Sequence, residues 1–380
     1  MEKDNLYPER EVIKDSESAF SLGKGNISGY TSAFLGFMSF LAVLAFQFPS
    51  YLTTQELRNA YDANFLQDVL MWGMYASLLF GVLTFAIGGS RKHGAIGVLF
   101  TMLGFACGGY TVEIGAVEKS SIAFGFDWLI LAFLVSAILF VFLEKVFPKY
   151  KDQNILRQEW KLDFVYFCLN HLLITLLLLA GNYFVHNGFG WAVSDSFQSW
   201  VQSKHIAIQV IMIIVSADFV LYWTHRVFHK VTRLWKFHAV HHSVETMDWL
   251  ASSRTHIVQT LVDRCLVLVP LILVGASKEA LDIYVSIAAF QAVYIHANVN
   301  VPLGPLKYVI VTPQYHHWHH SSQKPALDTN FSAHTPLFDK LFGTYHMPFE
   351  HWPAHYGTTS PLPKTFMGQF FYPFKRKKKK

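Results

Sequence analysis

The sequence predicts an all-α protein, a polytopic integral membrane helical bundle with a cytoplasmic histidine-rich helical cap. Three observations predict it. Of 380 residues, 52% are hydrophobic and 15% charged, where soluble globular domains carry about 25% charged residues; the mean hydropathy is +0.28. Eight apolar stretches approach or exceed the ~20 residues a helix needs to cross a bilayer. Nine histidines between His225 and His320 form three helix-spaced groups and one isolated position.

Residues 1–30 are polar, with no apolar run before a cleavage-like site, so no signal peptide is expected. N-terminal transmembrane helices occupy 31–147, with spans at 31–50, 68–90, 94–117 and 126–147. A basic linker, 148–162, leads into a catalytic-looking unit at 163–356. Its spans are 163–185, 205–224, 257–275 and 279–295, and the last two read as a helical hairpin. Beyond residue 296 the chain turns polar, aromatic and Pro-rich, and 357–380 is a basic tail.

If all eight stretches cross and the N-terminus is cytoplasmic, one side carries Arg91, Lys92, Lys149, Lys151, Arg157, Lys161, Arg226, Lys230, Arg233, Lys236 and Arg254. The other carries Arg58, Lys119, Lys204 and Lys278. Eleven against four makes the first side cytoplasmic, and every histidine group emerges there. The membrane is either a bacterial inner membrane or the endoplasmic reticulum; Lys377 and Lys378 fit a dilysine retrieval signal in the second case. Of the net charge of +5, the run Lys375 to Lys380 supplies six positive charges. The rest of the chain is near neutral, so nucleic acid is not an implied partner. The tail is a solvated run suited to anionic headgroups.

Cys107, Cys168 and Cys265 lie apart in apolar stretches and imply no disulfide and no thiolate site. The histidines are different. His225 and His229 are four apart, on one helical face. His238, His241 and His242 repeat i, i+3, i+4, as do His316, His319 and His320; His296 stands alone at the end of the last span. Nine imidazoles exceed what one ion of four to six ligands takes, so two metal ions are implied. Imidazole suits iron, zinc, copper and nickel. A zinc pair would hydrolyse and an iron pair would use O2; the absence of cysteine and of a GxSxG nucleophile motif favours iron. Isolated His171, His186, His205 and His256 offer no convincing haem pair.

The order HxxxH, HxxHH, lone His, HxxHH resembles the fatty acid hydroxylase / sterol desaturase superfamily of membrane di-iron oxygenases. Flanks carry the resemblance further: Trp223-Thr-His225-Arg226, Leu234-Trp235-Lys236-Phe237-His238, Arg254-Thr-His256, Thr312-Pro313, Asp328-Thr-Asn330-Phe331 and Asp339-Lys-Leu-Phe-Gly343-Thr344. Ile295-His296 and Phe342-Gly343-Thr344 look most like the bacterial sterol-desaturase-like and alkylglycerol monooxygenase branch. The resemblance covers about 165–356.

It implies that His225, His229, His238, His241, His242, His296, His316, His319 and His320 bind two iron ions, with O2 as co-substrate. His317 stays outside that set. Some relatives carry a second histidine where Asn300 stands, so Asn300, water or another histidine fills that position. Asp328 and Asn330 are placed to hydrogen-bond ligand N–H groups, or else form an Asp-x-Asn turn. Asp218, two turns before His225 and within a span, either contacts an imidazole or pairs with Arg254.

The implied reaction is hydroxylation of a C–H bond of a membrane lipid (sterol, fatty acyl or alkylglycerol type). Desaturation and ether cleavage share its first hydrogen abstraction. No GxGxxG and no haem pair is visible, so an external electron donor is expected: cytochrome b5, a ferredoxin or a reductase. The aromatic run Phe338–Tyr345 is a candidate mouth of the site. The rival readings are a polytopic metal transporter or sensor, against which stands the placement of the histidines at span ends, and a zinc-dependent membrane hydrolase.

Overall fold

The computed structural model describes residues 26–54, 62–116 and 125–375. Most of segment 1–30, Arg58, Lys119, and Lys377 and Lys378 lie outside the described residues. Those described are helices joined by turns, with two isolated β-bridges and no strand. The described residues divide into two compact units, one within 26–135 and 171–176, the other within 136–170 and 177–375.

The first unit holds α1 (Asn26–Gln47), the one-turn α2 (Pro49–Leu52), α3 (Ala63–Ile87), α4 (Arg91–Ala106) and the start of α5 (Phe126–Val146). Apolar attraction between helices is weak in lipid, so close packing must come from small residues and interhelical hydrogen bonds. Ser32 Oγ donates to Ser77 O at 2.8 Å, Ser77 Oγ to Ser32 O at 2.9 Å, and Thr101 Oγ1 to Ser77 Oγ at 2.8 Å. A Cβ on Gly97 would lie 2.2 Å from the Ser32 carbonyl carbon, so α1 and α4 meet at backbone distance. Gly97→Ala is expected to destabilise this bundle by about 1–3 kcal/mol through overpacking. The check is a thermal-unfolding midpoint in detergent; no shift would show that the helices are not seated this closely.

The second unit continues through α6 (Trp160–Leu172), α7 (Ile174–Phe189), α8 (Asp195–Gln202), α9 (Ile206–Lys230) and α10 (Thr232–His241). After these come α11 (Ile257–Val274), α12 (Lys278–Tyr294), α13 (Pro313–His319), α14 (Leu337–Leu341) and α15 (Phe366–Phe371). Val210, Ile213 and Ala217 of α9 pack with Val201, Val274, Ala280 and Tyr284.

Among the described residues six helices are long and apolar enough to cross a membrane, or seven if the bent pair at 160–192 is one span, a multi-pass pattern with fewer spans than the eight expected. The expected span 163–185 is instead two helices bent by 53°. The expected span 279–295 is the 17-residue α12, about 25 Å long at 1.5 Å per residue, short of the ~30 Å hydrocarbon core. The expected span 94–117 ends early because Gly108 and Gly109 take φ of +110° and +60°, which a helix cannot continue through. By contrast α9 has 25 residues, or about 37 Å. That exceeds the ~30 Å hydrocarbon core, and His225 and His229 lie in its last two turns.

Candidate metal centre

Each histidine group sits where the local sequence ends a helix. The first pair closes α9. His238 and His241 lie in the last turn of α10, with His242 as its C-cap. The third group occupies α13, opened by Pro313 and capped by Thr312, whose hydroxyl accepts from Tyr315 N at 3.2 Å. His296 follows the end of α12.

All nine histidines meet in two groups: His225, His229, His238, His242 and His319 in one, His241, His296, His316 and His320 in the other. Within each group the candidate ligand nitrogens lie within 4.8 Å of one another. The second and third boxes each divide between the groups. A turn of helix thus serves two centres at once.

The outer nitrogens decide what the inner ones can do. His225 Nδ1 donates to Phe331 O at 2.8 Å, His319 Nδ1 to Thr329 O at 2.8 Å, His241 Nδ1 to Arg254 O at 3.0 Å and His296 Nδ1 to Ala292 O at 2.8 Å. His238 Nδ1 donates to Gln259 Oε1 at 3.0 Å, and Gln259 Nε2 donates onward to Asp263 at 3.2 Å. His229 Nδ1 donates to Asp328 Oδ1 at 3.2 Å. Carbonyls and carboxylates only accept, so Nδ1 carries the proton in all six rings and Nε2 is a bare lone pair.

Yet His225 Nε2 lies 2.9 Å from His238 Nε2, and His241 Nε2 lies 3.1 Å from His296 Nε2. Two lone pairs at that distance repel unless a cation lies between them. The buried Nε2 atoms of His229 and His319 have no hydrogen-bond partner. Metal–imidazole bonds of about 2.0–2.1 Å suit this spacing. Burial, reinforced by neighbouring histidines, pushes His238, His242, His316, His319 and His320 well below the ordinary imidazole range. Burial brings His241 down to about 4. These imidazoles are neutral at pH 7, the form that binds metal.

One loop orients three ligands of the five-histidine group. Asp328, Thr329 and Phe331 supply the acceptors for His229, His319 and His225 in turn. Asp328 and Asn330 both adopt φ near +60°, a conformation Asp and Asn tolerate better than most residues. Two buried carboxylates pin this loop. Asp339 accepts from Phe331 N at 2.8 Å, Ser332 N at 2.7 Å, Tyr315 OH at 2.5 Å and Thr344 Oγ1 at 2.6 Å. Asp218 accepts from the amides of Ala333, His334 and Thr335, each at 2.9 Å.

Asp218 therefore neither contacts a cluster imidazole nor pairs with Arg254, because its oxygens are committed to backbone amides. Asn330 follows the turn alternative, its φ being +58°. Its side chain donates to Tyr315 O at 3.0 Å and His346 O at 2.6 Å, fastening α13 to the following loop. Asn300 is exposed and outside both groups; α12 has ended by Tyr294, so no helical turn carries it inward. Asp328 does hydrogen-bond a histidine N–H, and that contact, with Lys230 beside it, holds its carboxyl down at about 2. His317 lies outside both groups, its ring against Tyr356 OH at 3.0 Å and His296 O at 3.2 Å.

Below the four-histidine group lies a buried charge network. Asp163 accepts from both Arg157 and Arg254; Arg254 also reaches Glu159 at 2.9 Å and Arg157 reaches Asp248 at 3.0 Å. It fixes the backbone whose Arg254 carbonyl holds His241. Glu144 is buried and accepts from Trp249 N at 2.8 Å and Asn298 N at 2.9 Å. Sequence reasoning gave no role to Gln259, Asp163 or these carbonyls, and it read Asp339 only as part of a flank.

Residues 210–344 match the family Fatty acid hydroxylase. An ornithine lipid hydroxylase of Rhizobium tropici is 35% identical over 189 residues, 50% of this chain and 57% of that protein. The human alkylglycerol monooxygenase is 28% identical over 148 residues, 39% of this chain and 32% of that protein. An Arabidopsis thaliana methylsterol monooxygenase is 26% identical over 219 residues, 56% of this chain and 80% of its length. The chain thus spans about a third to just over half of the first two relatives. No solved structure matches. The matched segment, which contains all nine clustered histidines and the Asp328–Phe331 loop, is the part of this chain that is similar to the fatty acid hydroxylase family.

Proposed function

We propose that the chain is an O2-dependent membrane di-iron oxidoreductase that hydroxylates a C–H bond of a lipid, with the site on the cytoplasmic side and electrons drawn from a separate carrier protein. The observation that carries this reading is the opposition of unprotonated Nε2 atoms in two histidine groups, which only bound cations relieve. A five-nitrogen set exceeds the four ligands of closed zinc sites, and the relatives matched here are named hydroxylases and monooxygenases.

His225, His229, His238, His242 and His319 would hold one ion and His241, His296, His316 and His320 the other. Bound iron would supply O2 activation and the oxidising power for C–H attack. The chain's part is to keep six Nδ1 protons on fixed acceptors, so that each Nε2 stays a donor. Phe331 packs its ring 5.1 Å from His229 and 5.6 Å from His225, which excludes water from that side. Because α9 delivers two histidines directly from an apolar span, an alkyl chain in the bilayer is the substrate class with the shortest route to the centre.

The test is metal content of chelator-free protein by mass spectrometry, followed by turnover of extracted membrane lipids under ¹⁸O2. Two irons per chain and ¹⁸O in a hydroxylated lipid are expected. Folded protein without metal would remove the reading. Zinc with no gain on iron reconstitution would turn it to hydrolysis, and an unsaturated product lacking ¹⁸O would turn it to desaturation on the same centre.

A further inference from the structure

Resting on that reading, we infer that the surface around Lys230, Arg233 and Lys324 is the docking face for an acidic one-electron carrier protein, which delivers electrons at the His229–Asp328 edge of the five-histidine group.

Hydroxylation balances as R–H + O2 + 2e⁻ + 2H⁺ → R–OH + H2O, so two electrons must enter from a reduced donor, and a one-electron carrier supplies them in two encounters. Most of the outer acceptors of the cluster histidines are buried or half-buried backbone. Asp328 is the exposed one, its side chain 42% open, and its partner Lys230 is 53% open. Lys230 Nζ donates to Asp328 at 2.7 Å while Asp328 accepts from His229. At this edge a ligand ring is one residue from solvent.

Trp235 adds a second approach, its ring 4.9 Å from His229 and 5.3 Å from His242. Around this edge the charge is positive: Arg233 is exposed in the first turn of α10, and Lys324 is exposed four residues before Asp328. Val227, Val231 and Leu327 add exposed apolar surface, each more than two-fifths open. A small apolar centre with a charged rim is what a transient electron-transfer contact uses, since charge steers the encounter and permits fast release.

Lys236 Nζ donates to Lys375 O at 2.8 Å, which fastens the last described residue beside α10. Asp328 is the acid at this edge, and it is neutralised by Lys230.

The probe is the soluble haem domain of a cytochrome b5, reduced, mixed with metal-loaded full-length protein in detergent. Binding and haem reoxidation are measured at low and high salt, for the native chain and for Arg233→Glu with Lys324→Glu. We expect the double variant to weaken binding and slow reoxidation at least tenfold at low salt, with dithionite-driven lipid oxidation and metal content retained. High salt should shrink the difference. Native binding and reoxidation rates in the variant would overturn the inference. So would loss of binding to vesicles of phosphatidylcholine mixed equally with phosphatidylglycerol while carrier reoxidation stays native, since the patch would then serve the bilayer. If instead the native chain fails under dithionite and O2, the oxygenase reading fails, not the docking face. A variant that loses metal is replaced by Arg233→Gln with Lys324→Gln, expected to give a smaller effect in the same direction.

Discussion

His241→Ala is expected to reduce the metal content from two ions per chain to one and to abolish lipid oxidation. His241 belongs to the four-histidine group, so its removal leaves three imidazoles. It also frees the carbonyl of Arg254, which the buried Asp163 network holds in place whether or not an imidazole is there. His319→Ala should behave differently. Four imidazoles remain in its group, so the ion is retained but released to chelator at concentrations that leave the native chain loaded. Both variants should lose activity, because the proposed reaction needs the pair. The measurement is metal per chain before and after chelator titration. Two ions retained with full activity in both variants would end the ligand assignment.

Asp339→Asn is expected to act at one centre from a distance. The carboxylate takes four hydrogen bonds, two of them from the amides of Phe331 and Ser332. An amide in its place cannot accept them all, and each buried donor left unmatched costs about 1–3 kcal/mol. The loop it holds supplies the acceptors for His225, His229 and His319. Partners of this kind are worth roughly 10–100-fold in metal affinity. The prediction is therefore a split: the five-histidine group loses its ion at lower chelator concentration, the four-histidine group at the native concentration. Arg254→Lys should give the converse split, because its guanidinium anchors the segment that holds His241. Equal loss from both centres in Asp339→Asn would mean a general loosening and not a local one.

Much of this was legible in the chain. Helical spacing put the members of each histidine box on one face, and the nine histidines expected to bind metal are the nine the fold gathers. Thr312-Pro313 announced the start of α13. Lengths of apolar stretches located the spanning helices, though the bend between α6 and α7 and the shortness of α12 were not visible to a hydrophobicity pattern that counts residues and ignores local geometry. Asn300, one of three candidates for the position after His296, lies outside both groups because the chain has already left the helix there.

The sequence by itself determined the class of the protein and picked out the nine histidines that the fold gathers, because both depend on local properties: apolar run length, and imidazoles at i, i+3 and i+4. It could not determine how the boxes share two centres. That sharing sets His241 apart from His238 and His242, and His319 from His316 and His320, through angles between helices distant in the chain. Nor could it tell that Asp218, Asp339 and Asp163 act through backbone amides and arginines instead of touching an imidazole. A carboxylate's partner is decided by which donors the fold brings within about 3 Å, and only the tertiary structure brings Phe331 N to Asp339 or Arg254 to Asp163.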